Sequence, residues 1–389
     1  MMHNKNIFLF LFKSLFFIPL IFLIIGINYY VDPAFLFSNN DYEYKISKLL
    51  AEGNNVANIS NYDERLLQKF YIQLIDKAPD IIVLGSSRSM QIRTELFPRK
   101  SLFNHSVSGA SLEDIIAIYS MYIEKNTPLP KTVIIGLDPW LLNINNNQGR
   151  WKAIKRSYYK LANSLNIKLD SSIPIHANKY LQLVSLSYFQ ESLKTVYKNI
   201  FTKGKKRGNY FKVNTDKMIP NETMKRSDGS FLYDKKLRSV TTKEVEKSAL
   251  KYINEKRIYS LEKFTKLNHN KKINLSKLIL FILKKDSNII FFLPPYHPTV
   301  YNYLDKSEKY KIINEAEAYF IRLAKKHKIP ILGSYNPNKL NLTKRNFYDG
   351  MHPKENALKI IFSKTTLSEE TNIHSNSVPH HNLVSQKKE

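Results

Sequence analysis

Apolar runs and helical repeats alternate along the chain from about residue 80 onward. Short, continuous apolar runs predict strands of a parallel sheet, because helices cover both faces of such a sheet. The predicted strands are Asp80–Leu84, Ser101–Val107, Thr132–Leu137, Asn288–Leu293 and Ile329–Leu332. Helical spacing follows at Leu112–Lys125, at Glu315–His327 and from Lys354. The pattern predicts an α/β fold, a three-layer, doubly wound parallel sheet of the flavodoxin-like type.

The other segments are arranged around this predicted domain. Strand and helix patterns place the α/β domain at residues 79–142 and 281–367. Between them, residues 143–280 form a basic, mainly helical insertion. Residues 31–78 are predicted to form a stalk. Residues 368–389 have no hydrophobic periodicity and are predicted to form a disordered tail.

One apolar segment precedes the stalk. Ile7–Ile27 carries Lys13 as its only charge and reaches about 30 Å as a helix, enough to cross a hydrocarbon core. Basic residues precede the segment and acidic residues follow it, so the positive-inside rule places the N-terminus in the cytoplasm. A cleaved signal peptide is the alternative, but no pair of small residues follows, and Tyr29 and Tyr30 resemble interfacial anchors. Residues 1–30 are therefore predicted to be a cytoplasmic tip and a single-pass anchor in the inner or plasma membrane, with an extracytoplasmic domain.

Charge and cysteine content narrow the classes of function. The 389 residues include 60 Lys and Arg against 33 Asp and Glu, a formal net charge of +27. Between Phe201 and Leu280 there are 21 basic and 8 acidic residues. This basic insertion is either a solvated surface or a docking face for anionic polymer or lipid headgroups. The absence of cysteine excludes disulfide scaffolds, thiol nucleophiles and cysteine-ligated metal centres.

Two short segments carry candidate chemistry. Gly85-Ser86-Ser87-Arg88-Ser89 follows the first predicted strand, where ligands of doubly wound sheets bind and backbone N–H groups can stabilise an oxyanion. Near the last helix, Asp349 and His352 are three residues apart, with a glycine between them. This spacing lets the carboxylate fold back on the imidazole and leaves Nε2 facing a nucleophile. Each segment alone is also compatible with ordinary capping and turn formation, but the two together favour a Ser-His-Asp triad.

The two segments resemble blocks of the SGNH (GDSL) hydrolase superfamily, especially its membrane-anchored branch of DltD-like and alginate O-acetyltransferase-like proteins. The resemblance implies that Ser87 is the nucleophile, His352 the general base and Asp349 the acid that orients it. Ser86 then occupies the place of the family's usual Asp.

The second family block is similar to NHSVSGAS, which contains Asn104 and Gly109. The resemblance implies that the N–H groups of Gly109 and Ser87 form the oxyanion hole. The third block departs from the family, because Asp138 stands where an Asn is usual, and an ionised carboxylate cannot donate a hydrogen bond. The oxyanion hole then has two hydrogen-bond donors, or Asn143 supplies a third. An α/β-hydrolase is disfavoured because its nucleophile turn requires a glycine at position 89.

Other polar and aromatic side chains near these blocks have two interpretations each. Trp140 and His297 follow core strands and either line a substrate groove or pack in the core. Arg88 either contacts an anionic substrate or is solvated at a helix start. A metal site built from His105, His297 and His352 is disfavoured, since no pair has ligand spacing on one helix. No cofactor is expected.

The resemblance implies a membrane-anchored, extracytoplasmic serine esterase or O-acyltransferase that acts on acyl esters of a cell-envelope glycan. Its partners would be the lipid bilayer, the glycan and a polytopic membrane acyltransferase. The alternative is a catalytically weak or inactive protein that binds anionic envelope polymer or assists a partner acyltransferase, which the missing third-block Asn motivates. Nucleic-acid binding is disfavoured, because the predicted topology places the domain outside the cytoplasm and no binding motif is present.

Overall fold

The structure is a computed structural model. It describes residues 18–32, 37, 41–168, 179–201, 209–214, 219–255 and 258–363. Its helices are α1 (Ile18–Val31), α2 (Asp41–Ala51), α3 (Glu64–Leu74), α4 (Leu112–Lys125), α5 (Lys155–Ser164), α6 (Leu186–Phe201), α7 (Lys235–Arg238), α8 (Thr242–Asn254), α9 (His269–Lys284), α10 (Pro298–Lys306), α11 (Ile312–His327) and α12 (355–363). Its strands are β1 (Asn55–Ala57), β2 (Ile81–Leu84), β3 (Leu102–Asn104), β4 (Thr132–Gly136), β5 (Phe211–Val213), β6 (Met224–Lys225), β7 (Phe231–Leu232), β8 (Asn288–Leu293) and β9 (Ile331–Gly333).

A parallel sheet of five strands forms the centre of the fold, in the order β3-β2-β4-β8-β9. Apolar residues on both faces of this sheet are buried, which explains why its strands are continuous apolar runs in the sequence. On one face, Ile82 and Val133 belong to a core cluster that includes Ile116 of α4. On the other face, Val83 belongs to a second cluster that includes Leu358 of α12. The predicted α/β architecture with a parallel sheet between helices is confirmed.

The strand order creates a crevice at one edge of the sheet. From β2 the chain passes to β3 on one side, and α4 then returns it to β4 on the other side of β2. Ligands of doubly wound sheets bind beyond the carboxyl ends of the strands at such a reversal. The segments that begin at Gly85 and Leu137 leave β2 and β4 at this position.

A second sheet joins two segments that the sequence pattern assigns to separate regions. Its order is β5-β1-β6-β7, and it is antiparallel, with Val56 of β1 opposite Lys212 of β5 and Lys225 of β6. β1 belongs to the predicted stalk, whereas β5, β6 and β7 belong to the insertion predicted as mainly helical. The insertion therefore contains strands as well as helices, because β1 supplies the pairing partner that local sequence does not show.

Residues 41–75 of the predicted stalk also pack onto the α/β domain. The apolar side chains of Ile46, Leu50 and Leu67 are buried in the main core cluster. Arg65 Nε of α3 contacts Asp114 Oδ1 of α4 at 2.9 Å, and both side chains are almost completely buried. This segment is thus part of the domain and not an extended stalk, since its apolar residues and its buried ion pair have partners there.

The predicted anchor Ile7–Ile27 is only partly within the described residues, because residues 1–17 lie outside them. In the described part of the chain, no helix combines the length and the apolar character that crossing a membrane requires. The helix α1 has Asn28 buried against the insertion, where Nδ2 donates to the carbonyl oxygens of Leu183 and Gln182 at 2.8 and 3.2 Å. The predicted tail, residues 368–389, also lies outside the described residues.

Candidate active site

The turn after β2 presents Ser87 at the sheet edge. Gly85 leads into a short 3-10 helix, Ser87–Ser89, and Ser86 caps it by accepting a hydrogen bond from Arg88 N at 3.2 Å. A Cβ at Gly85 would lie 2.6 Å from Ser89 Oγ, and a Cβ at Gly136 of β4 would overlap the same atom. Two glycines on neighbouring strands therefore make room for the turn that carries Ser87. Ser86 is fully buried, so its side chain contacts no substrate.

Asp349 and His352 form a compact turn before α12. The Met351 and His352 backbone N–H groups donate to Asp349 Oδ1 at 2.7 and 2.9 Å, and His352 Nδ1 lies 2.8 Å from Asp349 Oδ2. Burial alone would raise the pKa of Asp349, but the His352 imidazole and these N–H groups lower it to about 2. The carboxylate is ionised at neutral pH, and it holds the ring proton on Nδ1.

The structure brings Ser87, His352 and Asp349 into one hydrogen-bonded series. Ser87 Oγ lies 2.9 Å from His352 Nε2, although the two residues are 265 positions apart in sequence. The His352 side chain is 21% exposed, and Ser87 is half-buried, so both groups reach solvent at the crevice. With the proton on Nδ1, Nε2 is free to accept the Ser87 hydroxyl proton. This geometry is that of an activated serine nucleophile.

Backbone N–H donors are available at Ser87 and Gly109, the two positions predicted to form the oxyanion hole. In the described residues, the N–H groups of Ser87 and Gly109 have no hydrogen-bond acceptor. Gly109 has a φ of +57°, and an added Cβ would overlap the side chains of Tyr259 and Arg150 from the insertion. The segment thus requires glycine, both for its left-handed backbone and for the close approach of the insertion.

The α3 helix holds the loop that contains Gly109. The Ser108 backbone N–H donates to Glu64, and Ser108 Oγ donates to Glu64 Oε1 at 2.7 Å. Arg65 Nη2 donates to the Ser108 carbonyl oxygen at 3.0 Å. Sequence reasoning missed Glu64 and Arg65, since they lie in the segment predicted as a stalk and belong to no motif.

Arg88 is not a solvated or substrate-facing side chain. Its side chain is fully buried, and its Nη1 donates a hydrogen bond to Asp138 Oδ1 at 2.9 Å. Its Nη2 donates to the Pro294 carbonyl oxygen at 2.5 Å, and its Nε donates to the Met351 carbonyl oxygen at 3.3 Å. Burial raises the pKa of Asp138, and the Arg88 guanidinium opposes that rise. Asp138 is thus the partner of a buried cation. Neither residue is placed to contact substrate, and Arg88 ties the Ser87 turn to the loops that follow β4 and β8 and to the His352 turn.

Three further side chains that were candidates for substrate binding or for the oxyanion hole, Asn104, Asn143 and Trp140, have structural partners instead. Asn104 donates from Nδ2 to the carbonyls of Ser89 and Ile92 at 2.9 and 2.8 Å, which fixes the Ser87 turn from below. Asn143 donates to the Ser260 carbonyl at 2.9 Å, so its amide is not available as a third oxyanion donor. Trp140 is buried and donates from Nε1 to the Ala110 carbonyl at 3.0 Å. All three side chains satisfy backbone groups and do not line a substrate groove.

His297 is also a core residue. It is fully buried, and its Nδ1 accepts a hydrogen bond from Thr299 N at 3.2 Å, which caps α10. Burial lowers the pKa of His297 to about 4, so the ring is neutral at physiological pH. His105 is buried elsewhere, with Nδ1 2.7 Å from Gln68 Oε1 and Nε2 2.6 Å from the Tyr122 hydroxyl. Across the described residues no group of three potential ligands could hold a metal ion, and His105, His297 and His352 do not converge.

An aromatic side chain from the insertion reaches the candidate site. The Tyr233 ring lies 6.1 Å from the His352 ring and 4.9 Å from the Tyr348 ring, centroid to centroid. Burial raises the pKa of the Tyr233 hydroxyl, and the Asp349 carboxylate adds to that effect. Tyr233 was not a sequence candidate, because nothing in the insertion indicates which of its residues approaches His352.

No family model and no curated protein matches the sequence. Among solved structures, the chain is similar to two catalytic mutants of Axe2, an acetylxylan esterase from Geobacillus stearothermophilus, with a TM-score of 0.33 and identities of 11% and 10%. A third Axe2 mutant, described as an acetyl-xylooligosaccharide esterase, has 12% identity and the same TM-score. Each comparison covers 76% of this chain and 95% of the other. A likeness this weak establishes neither a family nor an activity for this chain.

Proposed function

We propose that this protein is a serine esterase or O-acyltransferase that acts on acyl esters of a cell-envelope glycan. The observation that carries the proposal is the series Ser87 Oγ, His352 Nε2, His352 Nδ1 and Asp349 Oδ2, with distances of 2.9 and 2.8 Å. It lies at the crevice where a doubly wound sheet binds its ligands. The SGNH-like order of the sequence blocks supports the same chemistry, and membership of the DltD-like branch stays a prediction.

In the first half-reaction, Ser87 Oγ attacks the acyl carbonyl carbon while His352 Nε2 takes the hydroxyl proton. The carbonyl oxygen becomes an oxyanion, which the Ser87 and Gly109 N–H groups would stabilise. His352 then gives its proton to the departing group of the acyl donor, which is a sugar oxygen when a glycan ester is hydrolysed and a group of the membrane acyltransferase when the acyl group is transferred. The acyl group remains on Ser87. Asp349 stays ionised throughout and stabilises the imidazolium.

In the second half-reaction, His352 takes a proton from an acceptor hydroxyl, whose oxygen attacks the acyl-enzyme. Water as acceptor gives hydrolysis, and a sugar hydroxyl gives transfer. Collapse of the second tetrahedral intermediate returns the proton to Ser87. The acceptor that reaches the acyl-enzyme first therefore decides between hydrolysis and transfer. In the transfer reaction, a membrane acyltransferase would be the partner that donates the acyl group.

We further propose that the protein is anchored in the inner or plasma membrane with its domain outside the cytoplasm. The charges that flank Ile7–Ile27 support the orientation, and an exposed apolar surface on two neighbouring segments supports contact with lipid. On α1, Phe22 is 68% exposed and Tyr30 is 89% exposed. On the adjoining segment, Leu181, Leu186 and Tyr197 are each more than half exposed. An apolar surface that spans two packed helices is typical of a lipid- or partner-binding region.

The catalytic proposal is tested on the full chain in detergent with a fluorophosphonate label and with p-nitrophenyl acetate turnover. We expect the label on Ser87, and we expect Ser87→Ala and His352→Ala each to reduce turnover by about 10³-fold or more. Ser164→Ala and His269→Ala are matched controls, because both side chains are exposed on helices. Unchanged labelling in Ser87→Ala, or loss of turnover in the controls as well, would contradict the proposed nucleophile.

Among the described residues, the proposed oxyanion hole has two backbone donors and lacks a third donor from a side chain, and this favours a second candidate function. Because Asp138 accepts from Arg88 and cannot donate, the oxyanion hole has only backbone donors at the positions described. A binding protein without turnover would retain salt-sensitive attachment to anionic envelope polymer in Ser87→Ala. A folded wild type that neither accepts the label nor turns over ester, yet binds polymer in this way, would favour that candidate.

A further inference from the structure

A cavity of about 450 Å³ lies beside the candidate active site. Residues from separate parts of the chain line it, among them Arg93, Arg226, Arg238, Tyr348 and Lys354. Tyr348 directly precedes Asp349, and its ring packs against Tyr233, which in turn packs against His352. Two aromatic rings in series, Tyr348 and Tyr233, thus connect the cavity wall to the ring of the proposed general base.

Two of the cations in the cavity wall share one carboxylate. Arg226 Nη2 lies 2.9 Å from Glu355 Oε1, and Arg93 Nη1 lies 3.6 Å from Glu355 Oε2. Arg93 also contacts Glu95 at 2.9 Å, but the Glu95 side chain is half exposed to solvent. The Arg226 side chain is only 8% exposed, so its guanidinium group is buried in the wall of the cavity. Glu355 and Glu95 thus offset the formal charges of Arg226 and Arg93, so the excess positive charge of the wall comes from its other two cations.

The remaining two cations have no carboxylate partner among the described residues. Arg238 Nη2 donates to the Pro220 carbonyl at 2.6 Å, while its Nη1 is buried without an acceptor. Lys354 makes no ion pair in the described part of the chain, and burial lowers its pKa. Arg93 Nε is also buried and has no acceptor among the residues that the structure describes. A buried donor without a partner is costly, and an oxyanion in the cavity would satisfy such donors.

We infer that this cavity is a binding site for an oxyanion group, a phosphate or a carboxylate, carried by the polymer that the protein binds. Arginine forks suit both groups, since each presents two oxygens to parallel N–H donors. The first turn of α12, which starts beside Lys354, adds the positive end of a helix dipole. That the anionic polymer is also the ester substrate rests on the proposed function, whereas the anion site itself does not.

The experiment measures binding with the full chain in detergent in a Ser87→Ala background, so that turnover plays no part. The probes are fluorescent oligogalacturonate, a phosphorylated maltotetraose and neutral maltotetraose. We expect one of the anionic probes to bind in a salt-sensitive manner and the neutral probe to bind far more weakly. The anionic probe that binds more tightly identifies the group as carboxylate or phosphate.

Removal of the two uncompensated cations tests the site itself. We expect Arg238→Gln with Lys354→Gln to weaken anionic binding by about ten- to a hundredfold, and Arg238→Lys to retain most of it. Lys247→Gln with Lys251→Gln is the control, because it removes the same charge from exposed positions on α8 and should leave binding unchanged.

Equal losses in the two double variants would overturn the inference in favour of general electrostatic attraction. Binding that is unaffected by Arg238→Gln with Lys354→Gln, or anionic probes that bind no better than the neutral probe, would overturn it as well. Because the assay does not use esterase activity, a failure of the catalytic proposal is seen separately, as loss of labelling and turnover in the wild type. Circular dichroism of each variant confirms that a weaker binder is still folded.

Discussion

Neighbouring residues in one turn have sharply different surroundings. Ser87 reaches solvent and His352, whereas Ser86, Arg88 and Ser89 are fully buried. Arg88 contacts the backbone after β8 and the backbone of the His352 turn, so a single side chain joins the segments that carry the candidate nucleophile and base. We therefore regard Arg88 as a positioning residue and not as a group that binds substrate.

Replacing Arg88 tests this role. In Arg88→Met, the Asp138 carboxylate would remain buried without a partner, and we expect the free energy of unfolding to fall by about 3–5 kcal/mol. The double variant Arg88→Met with Asp138→Leu removes both charges and should recover most of that loss. Denaturant unfolding of the three proteins measures both effects. A double variant no more stable than Arg88→Met would show that the ion pair is not the source of the loss.

His297 predicts a specific dependence of stability on pH. Its folded pKa of about 4 lies below the ordinary value near 6.5, so between these pH values the unfolded chain binds a proton that the folded chain does not. Stability from this group is therefore present above pH 6.5 and is lost as the pH falls toward 4, by about 1.4 kcal/mol per pH unit. We expect His297→Gln to remove this slope in unfolding measured from pH 7 to pH 4.5. His269→Gln, at an exposed position, should keep it, and identical slopes for His297→Gln and wild type would contradict the prediction.

At the scale of elements, the site depends on a close approach between β2 and β4. Gly85 and Gly136 face each other across Ser89 Oγ, which has no hydrogen-bond partner in the described structure. The glycines are required here by space and not by backbone conformation, because neither has a positive φ. The two strands and the turn after β2 thus form one packed unit beneath the crevice.

Adding one methyl group tests the packing of that unit. We expect Gly136→Ala to destabilise the protein by about 1–3 kcal/mol and to lower esterase activity, since the new Cβ displaces Ser89 and with it the Ser87 turn. Adding Ser89→Ala should recover part of both losses. Gly149→Ala is the control, because nothing lies within 4 Å of the added Cβ. Full stability of Gly136→Ala would disprove the proposed clash.

At the scale of the whole molecule, α1 and the segment 179–201 form a joint surface. Asn28 and Asp32 bind this segment through hydrogen bonds to the Leu183 carbonyl and to the Tyr188 hydroxyl, at 2.8 and 2.7 Å. The exposed apolar side chains of both segments would enter or border the lipid if α1 continues a membrane anchor. The proposed anchor would then be a paired element, with the insertion as its second part.

The absence of cysteine makes this surface accessible to single-site labelling. We expect Leu186→Cys and Tyr197→Cys to react several-fold more slowly with a membrane-impermeant maleimide in vesicles than after mild detergent extraction. Lys247→Cys, on the exposed face of α8, should react equally in both conditions. Equal reactivity of all three cysteines in vesicles would place the segment 179–201 away from the lipid.

The sequence alone was sufficient for the parallel α/β core and for the pairing of Asp349 with His352, and the resemblance of the blocks predicted that Ser87 lies near them. Buried strands appear as continuous apolar runs, and a turn with Asp and His three residues apart brings the two groups together through local geometry. The chain order of those blocks then places Ser87 and His352 at the same sheet edge. The strands and the Asp349–His352 turn are short-range patterns, whereas Ser87 and His352 are 265 positions apart and their approach was predicted from the order of the blocks.

Only the tertiary structure decided the partners that lie far apart in sequence. The Arg88–Asp138 pair, the support of Ser108 by Glu64, and the cavity with Arg238 and Lys354 each join separate segments. The stalk prediction differs from the structure for the same reason, because β1 pairs with strands more than 150 residues later. Burial and charge compensation depend on which surfaces meet, and local periodicity contains no information about that.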